Sequence, residues 1–304
     1  MAGGRRGAKG PSTPSLALWG LAMLLLGAAL GWGLSTVSCA RKAEPARKER
    51  PEPAPRKPKR SRPSYEEAAP KEAPVKRAAP LEPPSDTPSV ALVIDDLGYA
   101  PPELVRRLCA LKIPFSAAVL PYLEFSRESA TLVHEAGKEV LLHLPMEGGP
   151  DADPGPDALR LSQDEATVRA LVRKALLEVP YRRGVNNHMG SRFTMDPKRM
   201  DWVLDELRRQ KLFFLDSRTT KDTVAWERAQ RMGVRSAQRQ VFLDDDKSEA
   251  ELRRQWDRAL ALARQEGQAI VIGHIYPETV EVLERWIPEV RGQVRFVKVS
   301  ELVR

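Results

Sequence analysis

Cysteine is scarce in this chain of 304 residues, which contains only Cys39 and Cys109. Two cysteines exclude a disulfide framework and a cluster of thiolate metal ligands. Cys39 ends a hydrophobic segment, whereas Cys109 lies in an apolar helical pattern. We therefore interpret Cys109 as a small core residue.

Net charge is also missing from residues 89–304, where 33 basic and 33 acidic residues balance. The formal charge of +8 and the isoelectric point near 9.6 come from residues 1–88. A nucleic-acid-binding domain should carry a basic patch of its own. We therefore expect no nucleic-acid partner.

The N-terminus combines a basic region, residues 1–14, with an uncharged apolar run at 15–37. Because about 20 apolar residues span a bilayer, the run is predicted to be a membrane anchor; a cleaved signal or a lipidated segment is the alternative. Basic residues also follow the run, and the positive-inside rule would keep them in the cytoplasm. We nevertheless expect export, with the anchor in the inner membrane and the domain in the periplasm of a bacterial envelope.

Residues 38–88 contain 12 of the 26 prolines, mixed with Lys, Arg, Glu and Ala, and show no apolar period. Such a segment buries too little apolar surface to offset its conformational entropy. It is predicted to be a disordered linker. A solvated spacer is the preferred interpretation, and a tether through an envelope layer is the alternative.

From residue 89 onward, short apolar segments alternate with amphipathic helical ones. Strands are predicted at 90–94, 113–120, 139–144, 184–187, 212–216, 240–243, 269–273 and 294–299. This alternation is typical of parallel strands joined by crossover helices. Residues 89–304 are therefore predicted to form one α/β domain, either open or closed into a barrel.

Two carboxylates, Asp95 and Asp96, directly follow the apolar run at 90–94. Ionised carboxylates are rarely buried without a partner, and sites in α/β folds lie at the carboxyl ends of strands. The pair is therefore a candidate acid site. A turn and helix cap before Pro101 explains the same two residues about as well.

Three of the four histidines, His143, His188 and His274, follow apolar strands, whereas His134 lies within a helical pattern and is interpreted as a surface residue. Because parallel strands point one way, we expect these three histidines near the acid pair. Imidazole and carboxylate groups are the usual ligands of a hydrolytic zinc or similar ion.

Two other acidic positions also follow strands. Asp216 could hold His274 in one tautomer or bind substrate hydroxyls, and a helix cap is its alternative role. The run of aspartates at 244–246 follows the strand at 240–243. A solvated turn is the preferred interpretation of this run, and a place in the site is the alternative.

Five motifs share an order along the chain that resembles the divergent polysaccharide deacetylase family, a distant branch of the carbohydrate esterases with the NodB-homology fold. They are IDDLG at 94–98, HLPME at 143–147, NNHMGS at 186–191, LDSR at 215–218 and GH at 273–274. The resemblance covers residues 89–304, and the NNHMGS block is its most specific part. It implies an α/β fold, a distorted (β/α) barrel with fewer strands than the usual eight.

The resemblance also implies site roles and a divalent metal, with zinc as the expected ion. Asp95 corresponds to the catalytic base and His274 to the acid. Asp96 and His143 correspond to metal ligands. The second histidine of the family's His-x-x-x-His motif is replaced here by Glu147. We therefore expect His188 as the third ligand and keep Glu147 as the alternative.

Other polar residues of these motifs are candidates for metal or substrate contacts: Glu147, Asn187, Asp216 and Arg218. The arginine that orients the base in the family has no counterpart at its expected place, so Arg192 or Arg218 is a candidate substitute. The resemblance implies N-deacetylation of an amino-sugar polymer, with an envelope polysaccharide as the partner. The alternatives are an inactive carbohydrate- or protein-binding module, a hydrolase of phosphate or peptide bonds, and a tethered scaffold.

Overall fold

A curled sheet of nine parallel strands, covered by helices, makes up the part of the chain that the computed structural model describes, residues 87–150 and 152–304. The strands are β1 (Ser89–Leu97), β2 (Ser116–Val119), β3 (Glu139–Met146), β4 (Arg182–Met189), β5 (Phe213–Asp216), β6 (Ser236–Gln238), β7 (Val241–Phe242), β8 (Gln268–His274) and β9 (Arg295–Val297). The helices are α1 (Pro102–Cys109), α2 (Ser126–Glu135), α3 (Glu165–Glu178), α4 (Pro197–Arg209), α5 (Ala225–Arg231), α6 (Glu249–Glu266) and α7 (Pro277–Glu289). Short 3-10 turns span Phe193–Met195 and Val299–Glu301.

The strand order explains why the sheet curls. The order is β6-β5-β4-β3-β2-β1-β8-β7, and β9 pairs with the start of β1. The two edge strands, β6 and β7, are separated in the sequence only by Arg239 and Gln240. The three residue steps from Gln238 to Val241 span at most about 10 Å, so the edges must come together and the sheet bends into a distorted barrel. The predicted fold class is confirmed, although the strands are more numerous than the resemblance implied.

The barrel has two apolar layers because alternate residues of each strand point to opposite faces. In β1, Val90, Leu92 and Ile94 pack under the helices, whereas Ala91 and Val93 face the interior of the barrel. All five side chains are fully buried. Because β1 is buried on both faces, its sequence is an unbroken apolar run.

The same alternation places polar side chains at the mouth of the barrel. Asp95 follows Val93 on the interior face and is in register with His274 of β8. His143 of β3 is in register with Asn186 of β4, and both follow interior positions. The carboxyl ends of four strands therefore converge on one polar cluster, as expected for an α/β fold.

The opposite end, the base of the barrel, is closed by side chains and by the C-terminal turn. At the start of β4, Gly184 leaves room for the ring of Phe213 on β5, because a Cβ at Gly184 would overlap that ring. The backbone N–H of Val299 donates to Ser116 Oγ at 3.0 Å, and Ser116 Oγ donates to Glu139 at 2.7 Å. The base is therefore packed and structural.

The predicted anchor at 15–37 and nearly all of the predicted linker at 38–88 lie outside the described residues. Within residues 87–150 and 152–304, no helix is both long and apolar enough to cross a bilayer.

Candidate metal centre and neighbouring acid–base groups

Three side chains that were predicted as ligands meet at the mouth of the barrel. Asp96 Oδ1 lies 3.2 Å from His143 Nε2 and 3.0 Å from His188 Nδ1. The two histidine nitrogens are 3.1 Å apart. Ligand atoms placed tetrahedrally at 2.0–2.1 Å from zinc are about 3.3 Å apart, so this triangle is compatible with one divalent metal ion. Their role as ligands stays a prediction.

The chemistry of the triangle also fits a cation. Asp96 Oδ1 is buried and accepts no well-aligned hydrogen bond from the described residues. A buried oxygen without a partner costs free energy. Burial raises the pKa of Asp96, but the neighbouring His143 and His188 outweigh burial and hold that pKa well below its usual range. The carboxylate is therefore ionised and directed at two nitrogen atoms that can bind a metal.

The backbone turns Asp96 towards this position. Strict alternation would place Asp96 on the outer face with Ile94, away from Asp95. Instead the pairing of β1 with β2 shifts register between Ile94 and Leu97, and Asp96 has a φ of +64°. This left-handed conformation is uncommon for residues other than glycine and is often found at functional sites. Both adjacent carboxylates can therefore reach the mouth.

Asp95, the predicted base, lies beside the triangle and is only 2% exposed. Its Oδ2 is 3.6 Å from His143 Nε2. Asn186 Nδ2 donates to both Asp95 oxygens, at 2.9 and 3.1 Å. Burial raises the pKa of Asp95 by more than the nearby His143 and His274 lower it. The carboxylate is thus a stronger base than a solvated aspartate.

The ring of His274, the predicted acid, is held by Asp244, a residue that was predicted to lie in a solvated turn. Asp244 is buried, and its Oδ1 lies 2.8 Å from His274 Nδ1. Burial lowers the pKa of His274, but the hydrogen bond and charge of Asp244 outweigh it and raise that pKa to about 9. Of the run 244–246, only Asp245 and Asp246 are exposed. The preferred interpretation of this run was therefore wrong at Asp244.

Asp216 has the capping role that was its alternative. It follows Phe214 on the outer face of β5, and its carboxylate accepts hydrogen bonds from the backbone N–H groups of Arg218 and Trp226 and from Thr223 Oγ1. Trp226 lies in the first turn of α5, so Asp216 satisfies a free N–H there. Asp216 does not hold the His274 ring, because Asp244 occupies that position.

Glu147 lies outside the triangle. Its carboxylate pairs with Arg192 at 2.7 Å and accepts a hydrogen bond from the backbone of Leu161 at 2.8 Å. Among the described residues, neither Arg192 nor Arg218 hydrogen-bonds to Asp95. The group that orients the predicted base is instead the Asn186 carboxamide.

The side chains of Asn186 and Asn187 lie on opposite faces of β4, because the two residues are neighbours on that strand. Asn187 follows Val185 on the outer face, where its Nδ2 donates to the Met189 carbonyl and its Oδ1 accepts from the Ser217 N–H. It therefore braces two loops, whereas Asn186 faces the site. A period of two counted back from His188 would have selected Asn186.

Comparisons with known proteins agree with the motifs. The family model of the divergent polysaccharide deacetylases matches residues 92–303. The uncharacterized protein YibQ of Escherichia coli K12 is 41% identical over 214 residues, which cover 70% of this chain and 67% of YibQ. An uncharacterized protein of Haemophilus influenzae is 35% identical over 215 residues, which cover 71% of this chain and 76% of that protein.

Among solved structures, the uncharacterized protein ATU2773 of Agrobacterium tumefaciens C58 has a TM-score of 0.68 and 24% identity, covering 71% of this chain and 89% of its own. That likeness concerns the fold alone. The family model, in contrast, spans every motif of the site, from the acid pair near the end of β1 to the histidine that ends β8. This chain therefore belongs to the divergent polysaccharide deacetylase family.

Proposed function

We propose that this protein is a metal-dependent hydrolase that removes acetyl groups from an amino-sugar polymer of the bacterial cell envelope. The family supports a carbohydrate substrate. The observation that carries the proposal is the triangle of Asp96, His143 and His188 within 3.2 Å, beside a buried carboxylate and an aspartate-held histidine. Metal ligands, a base and an acid are the parts with which a metal-dependent hydrolase cleaves an amide.

A divalent cation bound there, with zinc as the expected ion, would lower the pKa of a water molecule and polarise the amide carbonyl. Asp95 accepts the proton of the attacking water, and its raised pKa makes it a better proton acceptor. Asn186 holds the Asp95 carboxylate in a fixed plane during this transfer.

His274 donates a proton to the departing amine. With a pKa of about 9 it is protonated at neutral pH, as a general acid must be. Its strand, β8, is in register with the strand that bears Asp95. Base and acid therefore lie on adjacent strands at the same level of the barrel, where both could reach one scissile bond.

The test combines metal analysis with an assay of acetate release. The purified full-length protein is stripped with a chelator, reloaded with zinc, and incubated with chito-oligomers and peptidoglycan fragments. We expect acetate release only from the reloaded protein. An Asp95→Asn variant should bind zinc but release acetate about 10²–10⁴-fold more slowly. An Asp245→Asn variant, changed at an exposed position, should behave as the wild type. Zinc binding without acetate release from any of these substrates would contradict the proposal.

One observation favours a second candidate, a carbohydrate-binding module without catalysis. Glu147 stands where the family's second motif histidine is expected, and it is engaged by Arg192 rather than directed at the triangle. Titration calorimetry with the same oligomers distinguishes the two functions. A binding module binds them tightly and leaves them intact.

We also propose that residues 15–37 anchor the protein in the inner membrane and that residues 89–304 lie in the periplasm. The uncharged apolar run after a basic N-terminus supports this placement. Fusions of a reporter enzyme that is active only after export, placed after residue 304, test it. Reporter activity supports the placement, and a cytoplasmic reporter signal would refute it.

A further inference from the structure

The carboxamide of Asn186 connects two groups of the site. Asn186 is completely buried. Its Nδ2 donates to Asp95 Oδ1 at 2.9 Å and Oδ2 at 3.1 Å, and it also lies 3.2 Å from Ser217 Oγ. Its Oδ1 lies 2.8 Å from His143 Nδ1. One side chain therefore contacts both the predicted base and a predicted metal ligand.

Asp95 determines which way the amide faces. A carboxyl oxygen that bears no proton only accepts hydrogen bonds, and Asp95 has at least one such oxygen whether it is ionised or protonated. Both Asp95 oxygens lie 2.9 and 3.1 Å from the same Asn186 atom, so that atom must belong to the NH₂ group. The amide oxygen must then face His143. Because that oxygen also only accepts, the Nδ1 of His143 must carry a proton.

This proton decides which His143 nitrogen can bind a cation. With the proton on Nδ1, the lone pair of a neutral imidazole is on Nε2. Nε2 is the atom that lies 3.2 Å from Asp96 Oδ1 and 3.1 Å from His188 Nδ1. The tautomer set by Asn186 is thus the one that directs a free lone pair into the triangle.

We propose that Asn186 is a positioning residue that couples the base to the metal centre: it holds the Asp95 carboxylate and sets the His143 tautomer that leaves Nε2 free for a cation. The effect on catalysis rests on the proposed function, whereas the tautomer and the metal affinity do not. A neutral amide here takes the place of the arginine that the family resemblance led us to expect.

Two substitutions separate the two contacts. Asn186→Asp keeps an acceptor for His143 Nδ1–H but loses the donor to Asp95 and adds a like charge. Asn186→Leu has a similar volume and loses both contacts. Gln265→Glu is the matched control, because it makes the same amide-to-carboxylate change at an exposed residue of α6, away from the site.

The first measurement is the ¹⁵N spectrum of zinc-loaded, full-length protein labelled at its four histidines. We expect the signals of one histidine to show a proton on Nδ1 and zinc bound to Nε2. These signals should be missing from the spectrum of a His143→Gln variant, which assigns them to His143. The second is the zinc Kd from chelator competition. We expect Asn186→Leu to weaken zinc binding about 10–100-fold, as loss of a ligand's supporting contact does. Asn186→Asp and Gln265→Glu should stay within about threefold of the wild type.

The third measurement is turnover of the deacetylase substrate. We expect Asn186→Asp to lower kcat at least about tenfold with little change in KM, since the base is misplaced while the metal is kept. Gln265→Glu should keep the wild-type kcat.

Three results would overturn the proposal: zinc bound through Nδ1 of His143, an unchanged zinc Kd in Asn186→Leu, or an unchanged kcat in Asn186→Asp. The wild-type spectrum and Asn186→Asp decide the outcome if Asn186→Leu does not fold. If the wild type hydrolyses no substrate, the proposed function fails, and the tautomer and zinc affinity alone then decide the role of Asn186.

Discussion

His274 donates two hydrogen bonds to Asp244, one from its backbone N–H to Oδ2 at 2.6 Å and one from Nδ1 to Oδ1 at 2.8 Å. Thr279 Oγ1 donates a third to Oδ2, at 2.7 Å. Both oxygens of the carboxylate therefore accept hydrogen bonds. The His274 ring is fixed with Nδ1 occupied, which leaves Nε2 as the ring atom that would donate the proton in the proposed mechanism.

Removal of the Asp244 charge should shift the alkaline limit of activity. A general acid must be protonated, so the rate falls as pH rises through the pKa of His274, about 9 in the wild type. In Asp244→Asn this pKa should return towards 6.5. Activity at pH 8 would then drop about 30-fold, because only a few per cent of His274 stays protonated. The measurement is kcat/KM across pH 5–10.

Asp245→Asn is the matched control for this profile, because Asp245 is the exposed neighbour of Asp244. Its profile should overlay that of the wild type. An alkaline limit that stays in place in Asp244→Asn would show that a group other than His274 supplies the proton.

Asp95→Asn should separate metal binding from turnover. Asparagine has nearly the same size, and Asp95 is not part of the triangle, so we expect the zinc Kd to stay within about threefold of the wild type. Loss of a general base typically lowers the rate 10²–10⁴-fold, and kcat should fall by about that factor. Chelator competition and acetate release measure the two quantities. Full activity in the variant would remove Asp95 from the mechanism.

His188→Ala should weaken zinc binding more than any change outside the triangle. Loss of a supporting contact costs about 10–100-fold in affinity, and loss of a ligand should exceed that range. His134→Ala is the control, since His134 is exposed on α2 and stacks on Tyr181 with ring centroids 4.0 Å apart. Equal zinc affinities in the two variants would mean that His188 is not a ligand.

Gly184→Ala should destabilise the barrel from its base. The new methyl group would overlap the Phe213 ring, and overpacking of a filled core costs about 1–3 kcal/mol. Gly149→Ala is the control, because no other side chain or backbone atom lies within 4 Å of its added Cβ. Urea unfolding measures the two free energies. A Gly184→Ala protein as stable as the control would indicate that Phe213 moves aside without cost.

Most strands of the fold could be predicted from the sequence, because each strand leaves a local pattern of apolar residues. Buried parallel strands leave unbroken apolar runs, and all eight predicted strand segments overlap strands of the structure. The strand that was missed, β6 (Ser236–Gln238), has only three residues and no apolar run. Its position depends on pairing with β5 at the edge of the sheet, which a single sequence does not display.

Part of the candidate site could be predicted from the sequence for the same reason. Asp95, Asp96, His143 and His274 stand directly after or at the ends of apolar strands, so strand direction alone brings them together. Asp244 was misjudged because a run of three aspartates resembles a solvated turn, and only the proximity of β7 to β8 shows that its first member is buried.

The bulge in β1 was beyond prediction as well. Alternation sends Asp96 to the helix side, and only the positive φ of that residue reverses its direction. The choice between Asn186 and Asn187 turns on the same alternation. Here the sequence did hold the answer, because the residue two positions before His188, Asn186, lies on the same face of the strand as that histidine.

The first strand runs from one end of the barrel to the other. Ser89 lies at the base, where β9 pairs with it, and Asp95 is six residues further along. At about 3.3 Å per residue, roughly 20 Å separates the two. The covalent connection to the preceding chain is therefore made at the base, and the acid–base groups open in the opposite direction. A molecule that reaches the rim therefore does not have to pass the junction with the preceding chain.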